Sequence, residues 1–216
     1  MSKYQIVQNG DSPSFPETHP FLIEASEDAE GLVLIGTMAG AQFQAMTDLS
    51  KFTFVAIELG TECLGVHTGE NRGLEGSNVV GFSRFRLGDG APSNLIELVR
   101  QPDTNQMALS SAKSAFEAAG LKVAVCLDFP GRIVNRLIRP YLNAALRRLD
   151  ERLATAEDMD KTLCLGLGYP EGPISLLERT GLANHYDVTQ ALYQALGAEP
   201  YAPARRAQVA KARTAR

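Results

Sequence analysis

The chain has 216 residues, of which 44% are hydrophobic and 21% charged, and its formal net charge is −4. These values are ordinary for a globular protein of one or two domains, and the weak negative charge gives no general attraction to nucleic acid or to membranes. No run of about 18 apolar residues predicts a membrane-spanning helix, and the first residues do not have the pattern of a signal peptide.

The cysteines and histidines predict neither a disulfide nor a metal site. The cysteines are odd in number and widely spaced, at Cys63, Cys126 and Cys164. This pattern predicts free thiols and a reducing cytoplasm. The histidines are equally scattered, at His19, His67 and His185. Because no spacing among these residues predicts ligands that converge, we expect no metal.

The first 129 residues alternate between predicted strands and predicted helices. The first twenty residues are rich in Pro, Ser, Asn and Gly, and we interpret them as an irregular lead-in. Short apolar runs then predict strands at Phe21–Ala25, Gly31–Gly36, Phe52–Leu59, Asn78–Phe82, Asn94–Val99 and Lys122–Phe129. Helices are predicted over Ala39–Leu49 and over Thr104–Ala119, which ends at Gly120. This alternation predicts an α/β domain with a largely parallel sheet over residues 1–129.

After Phe129 the pattern becomes all-helical. Pro130 and Gly131 predict a turn, and an apolar stripe follows over Arg132–Leu153, where Pro140 predicts a kink or a break. Three more helices are predicted: one capped by Thr155 and reaching Leu165, one over Ile174–Thr180 with Pro173 in its first turn, and one over Val188–Leu196. The sequence thus predicts a helical domain over residues 130–200.

The last residues are strongly basic. Residues 204–216 contain five basic and no acidic side chains. Such a segment is typical either of an arm that binds nucleic acid or a protein partner, or of a frayed, solvated terminus. We favour the second interpretation, which predicts a flexible tail over residues 201–216 and neither a nucleic-acid nor a membrane partner.

Two long segments of the helical half resemble a known family. They read PGRIVNRLIRPYLNAA and ATAEDMDKTLCLGLGYPEGPISLLERTGL. Both are similar to the C-terminal domain of the NAD-dependent L-3-hydroxyacyl-CoA dehydrogenases, especially the degenerate C-terminal half of the long bacterial enzymes of phenylacetate degradation. The resemblance implies a truncated Rossmann-like sheet domain followed by the family's helical domain, which in the family forms the dimer interface and one wall of the acyl-CoA cleft.

The resemblance also implies NAD as the cofactor, but the sequence lacks the expected loop. Dinucleotide-binding domains have a Gly-x-Gly-x-x-Gly turn whose backbone N–H groups face the pyrophosphate. The only candidate runs from Gly36 to Gly40, after an apolar strand, and it lacks the first closely spaced glycine pair. We therefore expect NAD to bind poorly or not at all.

The family's catalytic pair is a histidine and a glutamate. Imidazole takes the hydroxyl proton while hydride leaves C3, and the carboxylate orients the ring. In this sequence Glu97 matches the glutamate, whereas Ser83 takes the histidine position, or Phe85 if the alignment has no gap. Neither residue can act as the base. Glu97 remains either a pocket carboxylate or a structural charge at a strand end, and His67 is interpreted as a partly exposed loop histidine.

Three further positions match the substrate side of the family. Thr61 stands near the serine that contacts the substrate oxygen, and Asn135 matches an asparagine beside the substrate. Asn135 could equally be a helix-surface amide that fixes a turn. Arg132 replaces an aromatic residue at a predicted helix start, where positive charge is unfavourable. A carboxylate, a CoA phosphate or solvent could relieve that cost.

Three functions are compatible with these residues. The first is a non-catalytic unit that dimerises with itself or with a complete dehydrogenase and shapes an acyl-CoA cleft. The second is an active NAD-dependent oxidoreductase that converts 3-hydroxyacyl-CoA to 3-oxoacyl-CoA. The third is an acyl-CoA-binding module without chemistry. The sequence does not choose among them.

Overall fold

The computed structural model describes residues 3–70 and 77–214. The described residues form two compact units: a sheet unit that falls within residues 1–86 and 92–133, and a helical unit that falls within residues 87–91 and 134–216. The division falls four residues after the predicted boundary. It also assigns residues 87–91 to the helical unit, where the Asp89 N–H donates to the Thr180 carbonyl at 2.9 Å.

The sheet unit is built on one six-stranded sheet in which the strands follow chain order. The strands are β1 Tyr4–Gln8, β2 Gly31–Ile35, β3 Phe54–Glu58, β4 Val79–Arg84, β5 Leu95–Arg100 and β6 Lys122–Leu127. All neighbouring pairs are parallel except β4 and β5. Every residue of β2 and β3 is buried, as their unbroken apolar runs predict for central parallel strands. The predicted α/β class is confirmed.

Four helices pack on this sheet: α1 Pro20–Ile23, α2 Ala39–Ala45, α3 Gly65–Thr68 and α4 Gln106–Ala118. One apolar cluster contains stacked rings of Tyr4, Phe21 and Phe116, and a second contains Phe43 and Leu64. The start of α4 is capped by the Asn105 side chain, which accepts from the Met107 N–H at 2.8 Å. Its end is the predicted Gly120, at φ +84°.

The helical unit contains α5 Val134–Asp150, α6 Ala156–Leu167, α7 Pro173–Thr180, α8 Leu182–Leu196 and α9 Arg205–Thr214. Thr155 caps α6 as predicted, since its Oγ1 accepts from the Asp158 N–H at 3.1 Å. Pro140 does not break α5, contrary to one of the two predicted outcomes. The carbonyl of Arg136, which lies four residues before this proline, instead accepts from the Tyr201 hydroxyl at 3.1 Å.

Two N-terminal predictions are wrong. Residues Tyr4–Gln8 form an edge strand rather than an irregular lead-in. Phe21–Ala25 is not a strand, because Pro20 begins a one-turn helix there. His19 caps that turn, with its Nδ1 accepting from the Phe21 N–H at 3.1 Å. The apolar run predicted burial correctly but not the type of element.

The C-terminal segment also differs from its prediction. The helix predicted from Val188 begins six residues earlier, at Leu182. Residues Arg205–Thr214 form a helix instead of a flexible tail. Its basic side chains pair with acidic ones of the same unit, Arg206 with Asp150 and Lys211 with Asp187, each at 2.7 Å. No helix in the described residues is long and apolar enough to cross a membrane.

Candidate functional site

Glu97, the match to the family's glutamate, is almost completely buried in β5. It is 1% exposed. Its Oε1 accepts from the Ile133 N–H at 2.8 Å, and its Oε2 lies 3.4 Å from the Arg132 Nε. Both contacts are to the two residues that close the sheet unit. Glu97 is therefore a buried, ion-paired carboxylate and not a charge that faces solvent.

Ser83 lies directly opposite Glu97 in the antiparallel pair of β4 and β5. Opposed residues in such a pair point to the same face, with Cβ atoms about 4.5–5.5 Å apart. Phe85 lies beyond the end of β4. The register thus places Ser83, rather than Phe85, beside the carboxylate. A serine hydroxyl at this position cannot take a proton from substrate as an imidazole does.

Arg132 is buried at the end of the sheet unit and does not begin a helix, since α5 starts at Val134. It is 4% exposed and adopts φ +52°, which is uncommon for a residue with a side chain. Its Nη2 donates to the Gly60 carbonyl, while its Nε and Nη1 have no hydrogen-bond partner among the described residues. The 3.4 Å contact of Nε with Glu97 is therefore an ion pair without a hydrogen bond. The Glu97 carboxylate compensates its charge. The prediction of a contact between Arg132 and a CoA phosphate does not fit this enclosed geometry.

Thr61 lies next to the Pro130–Gly131 turn. Its carbonyl accepts from the Gly131 N–H at 3.0 Å, and its side chain is half-buried. The sheet unit therefore brings together the turn, Thr61 and, through Gly60, the buried pair of Arg132 and Glu97. These residues come from three distant parts of the sequence.

The cysteines near this pair do not replace the missing base. Burial, followed by the charge of Asp128, raises the pKa of Cys63 to about 11. Burial and the charge of Glu97 raise the pKa of Cys126 to about 11 as well. Both thiols are therefore protonated near neutral pH and are poor nucleophiles. Asp128 itself accepts from the N–H groups of Leu64 and Gly65, at 2.6 and 2.7 Å.

The Gly36–Gly40 loop follows β2, where a nucleotide-binding loop would lie. Side chains of the protein already bind its backbone and fill the space beside it. The Gly36 N–H donates to Glu58 Oε2 at 2.6 Å. Glu58 is 5% exposed and also accepts from Ser12 Oγ and from the Ser14 N–H. A pyrophosphate at this loop would compete with a buried carboxylate for the same donor and would be repelled by its charge.

Gly40 has a packing role. A Cβ atom at this position would lie 2.1 Å from Cε1 of His67, so only glycine leaves room for the imidazole. The His67 side chain is 14% exposed in α3, and its Nε2 lies 3.6 Å from Glu62 Oε1. His67 is partly exposed, as predicted, but it lies in α3 rather than in a loop, and its ring packs against Gly40 of α2.

A cavity of about 230 Å³ adjoins this loop, and its charged lining is acidic. Glu58 and Glu62 line it, together with His67 and with residues of the loop that include Gly36 and Gly40. Burial raises the pKa of Glu62, but the nearby His67 side chain and hydrogen bonds from backbone N–H groups outweigh burial and lower it. A cavity with these charges does not suit the phosphates of NAD. The residues present therefore do not fit that cofactor.

In the helical unit, Asn135 belongs to a buried polar network. Its Oδ1 accepts from Arg139 Nε at 2.9 Å. Arg139 Nη1 contacts His185 Nδ1 at 2.9 Å, and His185 Nε2 contacts Asn143 Oδ1 at 3.0 Å. Asn143 Nδ2 then donates to the carbonyls of residues 200 and 202. The network connects α5, α8 and the segment before α9.

The hydrogen-bond chemistry determines the tautomer of His185. A guanidinium group can only donate, so His185 Nδ1 accepts from Arg139 and the proton resides on Nε2, which donates to Asn143. Burial and the Arg139 charge lower the pKa of His185 to about 3. Burial also lowers the pKa of Arg139 to about 10. His185 is therefore neutral, and Arg139 remains charged at neutral pH.

Sequence reasoning missed Arg139 and His185. One indication was available, because Asn135, Arg139 and Asn143 recur every fourth residue and so share one face of α5. All three are buried. Polar residues at this spacing within an otherwise apolar stripe indicate a buried network or a site. No group of three or more His, Cys, Asp or Glu side chains in the described residues could hold a metal ion.

The fold and the site define a class of protein: a mostly parallel, Rossmann-like α/β unit followed by an all-helical unit. A model of the 3-hydroxyacyl-CoA dehydrogenase C-terminal domain matches residues 131–215. The mitochondrial hydroxyacyl-coenzyme A dehydrogenase of Homo sapiens is 42% identical over 88 residues, which are 41% of this chain and 28% of the relative. The 3-hydroxybutyryl-CoA dehydrogenase of Bradyrhizobium diazoefficiens is 34% identical over 109 residues, which are 50% of this chain and 37% of the relative.

Residues 131–215 are therefore similar to the C-terminal domain of the 3-hydroxyacyl-CoA dehydrogenases. The match spans less than two fifths of the length of these curated relatives. Two solved structures share its fold. The (S)-3-hydroxybutyryl-CoA dehydrogenase PaaH1 from Ralstonia eutropha has a TM-score of 0.70 at 20% identity, over 92% of this chain and 69% of that chain. The 3-hydroxybutyryl-CoA dehydrogenase of Escherichia coli has a TM-score of 0.69 at 21% identity, over 90% of this chain and 41% of that chain.

Proposed function

We propose that this protein is a non-catalytic member of the dehydrogenase family, one that binds acyl-CoA and associates through its helical domain. The observation that carries the proposal is the pairing of Glu97 with Arg132, opposite Ser83. Hydride can leave C3 of a 3-hydroxyacyl group only if a base takes the hydroxyl proton. Here the carboxylate that orients a histidine in the family compensates a buried guanidinium instead.

Two features of the sheet unit support weak or absent NAD binding. The Gly36 N–H and the space above Gly40 are taken by Glu58 and His67. In addition, doubly wound folds bind dinucleotides in the crevice where the strand order reverses. The order of the described sheet runs from β1 to β6 without a reversal. These residues therefore favour a unit without redox chemistry of its own.

Retained substrate-side residues support acyl-CoA binding. Thr61 lies at the turn that precedes the helical unit, and Asn135 stands in the first turn of α5. We place the protein in a pathway that handles CoA thioesters of fatty or aromatic acids, as in phenylacetate degradation. Its three cysteines are free thiols, which supports a reducing cytoplasmic location.

An enzyme assay separates this proposal from an active oxidoreductase. We expect no NADH-dependent reduction of acetoacetyl-CoA by the chain alone above the buffer rate, and no NADH fluorescence change in a titration. Calorimetry on the same sample should detect binding of acetoacetyl-CoA. A complete 3-hydroxyacyl-CoA dehydrogenase is the positive control. When this chain is added to it, the turnover of the mixture should not exceed the sum of the turnovers measured for the two proteins separately. Turnover by the isolated chain would support the oxidoreductase instead.

The association surface that we propose lies on α5 and α6. The apolar residues Leu137, Leu165 and Leu167 are 73%, 78% and 64% exposed, whereas Leu177 of α7 and Leu192 of α8 are buried within the unit. A contiguous exposed apolar patch marks a contact surface, and we propose that these three leucines belong to one. The proposed partner is a second copy of this chain or a complete dehydrogenase.

Light scattering tests this association. The chain at micromolar concentration should have the mass of two copies, and Leu165→Glu with Leu167→Glu should give the mass of one copy. Met107→Glu is the matched control, since Met107 is 70% exposed in the sheet unit and its replacement should leave the dimer intact. A monomeric wild-type chain that also does not bind a complete dehydrogenase would contradict the proposed association.

A further inference from the structure

We infer that Arg139 is a positioning residue that turns the Asn135 amide so that it can only donate hydrogen bonds to a ligand. The inference rests on the acyl-CoA binding proposed above, and it specifies the chemistry of the group that Asn135 receives. That group is a hydrogen-bond acceptor, namely a carbonyl oxygen of the acyl thioester.

The orientation of the amide follows from its partner. Arg139 Nε is a donor without acceptor capacity, so the atom of Asn135 that faces it must be the oxygen. Asn135 Nδ2 then points away from Arg139 and has no hydrogen-bond partner in the described part of the chain. Asn135 keeps 8% of its surface exposed, and the amide nitrogen is not among the fully enclosed polar atoms. The free half of the amide is thus a pair of N–H donors.

Arg139 is suited to this role because it is buried and has a hydrogen-bonding partner on each side. It is 1% exposed and is anchored at its far end by neutral His185. No carboxylate among the described residues forms an ion pair with it. A buried cation that is surrounded only by neutral acceptors polarises each of them. The Asn135 oxygen is therefore drawn toward positive charge, which strengthens the opposite N–H groups as donors.

This polarity selects among ligands. A carbonyl oxygen can accept from Asn135 Nδ2, whereas a methylene group in the same place leaves the donors without a partner and loses affinity. Two probes of equal chain length differ in this respect. Acetoacetyl-CoA carries carbonyl oxygens on its four-carbon chain, and the thioether S-butyl-CoA carries none. We expect the wild-type chain to bind acetoacetyl-CoA more tightly by on the order of tenfold.

Calorimetric titration of both probes into three variants tests the inference. Asn135→Asp gives Arg139 a carboxylate partner, so the chain should stay folded, but it removes the N–H donors. The ratio of the affinity for acetoacetyl-CoA to the affinity for S-butyl-CoA should therefore fall to about one or below. Arg139→Met removes the group that orients the amide, and the ratio should fall several-fold. Arg139→Gln keeps a polar side chain but can both donate and accept, so it no longer fixes the amide. It should show the same fall and covers the case in which Arg139→Met does not fold.

The matched control is Thr189→Val. Thr189 is buried in the same part of α8 and donates to the His185 carbonyl, but it does not contact Asn135. A loss of stability alone would weaken both probes equally, so this variant should keep the wild-type ratio. If wild type binds neither probe, the proposed function fails. If wild type discriminates between the probes and both Arg139 variants discriminate equally well, the positioning role is wrong while acyl-CoA binding stands.

Discussion

Replacement of Glu97 with alanine should lower the free energy of unfolding by about 3–5 kcal/mol, the usual cost of leaving a buried charge without its partner. The variant leaves the Arg132 guanidinium, 3% exposed, without an anion. It also removes the acceptor of the Ile133 N–H. Urea unfolding followed by circular dichroism measures the change. If the Glu97 carboxylate had no structural role, its removal would lower the free energy of unfolding far less.

The matched control is Glu117→Ala. Glu117 pairs with Lys113 on the surface of α4 at 3.7 Å, with both side chains close to half exposed. Its loss should cost no more than about 0.5 kcal/mol. A double-mutant cycle isolates the pair: Glu97→Ala with Arg132→Met should cost less than the sum of the single replacements, by about 0.5–3 kcal/mol. Strict additivity would mean that Arg132 and Glu97 do not stabilise each other.

Acidification should destabilise the helical unit through His185. Its pKa is about 3 in the folded protein, compared with an ordinary value of 6.5. Between these values the unfolded chain binds a proton that the folded chain does not, so stability falls as pH falls. The contribution of this one residue approaches about 1.4 kcal/mol per pH unit, or roughly 2–3 kcal/mol between pH 6 and pH 4. Urea unfolding across this range measures the slope.

His185→Gln identifies the residue responsible. A glutamine can accept from Arg139 and donate to Asn143, yet it does not titrate. The variant should therefore have a shallower decline of stability with acid than the wild type. Some decline will remain, because burial followed by the Arg84 charge also lowers the pKa of His19. Equal slopes for the variant and the wild type would show that His185 does not remain neutral in the folded protein.

Both predictions concern a buried arginine that contacts a residue at a family position: Arg132 contacts Glu97, and Arg139, the partner of His185, contacts Asn135. A carboxylate and an asparagine that match family positions are both present, but each contacts an arginine. Arg132 is distant from Glu97 in the chain, whereas Arg139 lies one helical turn from Asn135. Arg132 neutralises Glu97, and Arg139 orients Asn135. The first contact is incompatible with a histidine–glutamate pair, whereas the second leaves the asparagine able to bind a carbonyl. This difference explains why we propose ligand binding without proton transfer.

Local patterns predicted much of the fold. The apolar runs of β2 and β3, the Thr155 cap of α6, the proline at the start of α7 and the glycine that ends α4 each depend on residues within one or two turns. Such features act over short distances, so the sequence alone indicates them. The same applies to the long segments of the helical half that resemble the family.

Other features needed the tertiary structure. Tyr4–Gln8 lacks a strong pattern and becomes a strand because β2 provides a parallel edge. The basic C-terminal segment becomes a helix because acidic residues of α5 and α8 pair with it. Pro140 is tolerated because the Tyr201 hydroxyl satisfies the carbonyl that it frees. Each depends on a partner far away in the chain.

The candidate site divides in the same way. The sequence by itself indicated that Glu97, Asn135 and Thr61 match family positions, and it left Ser83 and Phe85 as alternatives at the histidine position. Only the tertiary structure decided what those side chains contact: Arg132 for Glu97, Arg139 for Asn135, and Glu58 for the Gly36 loop. The physical reason is that desolvation in the folded core requires every buried charge and amide to find a partner, and packing chooses that partner.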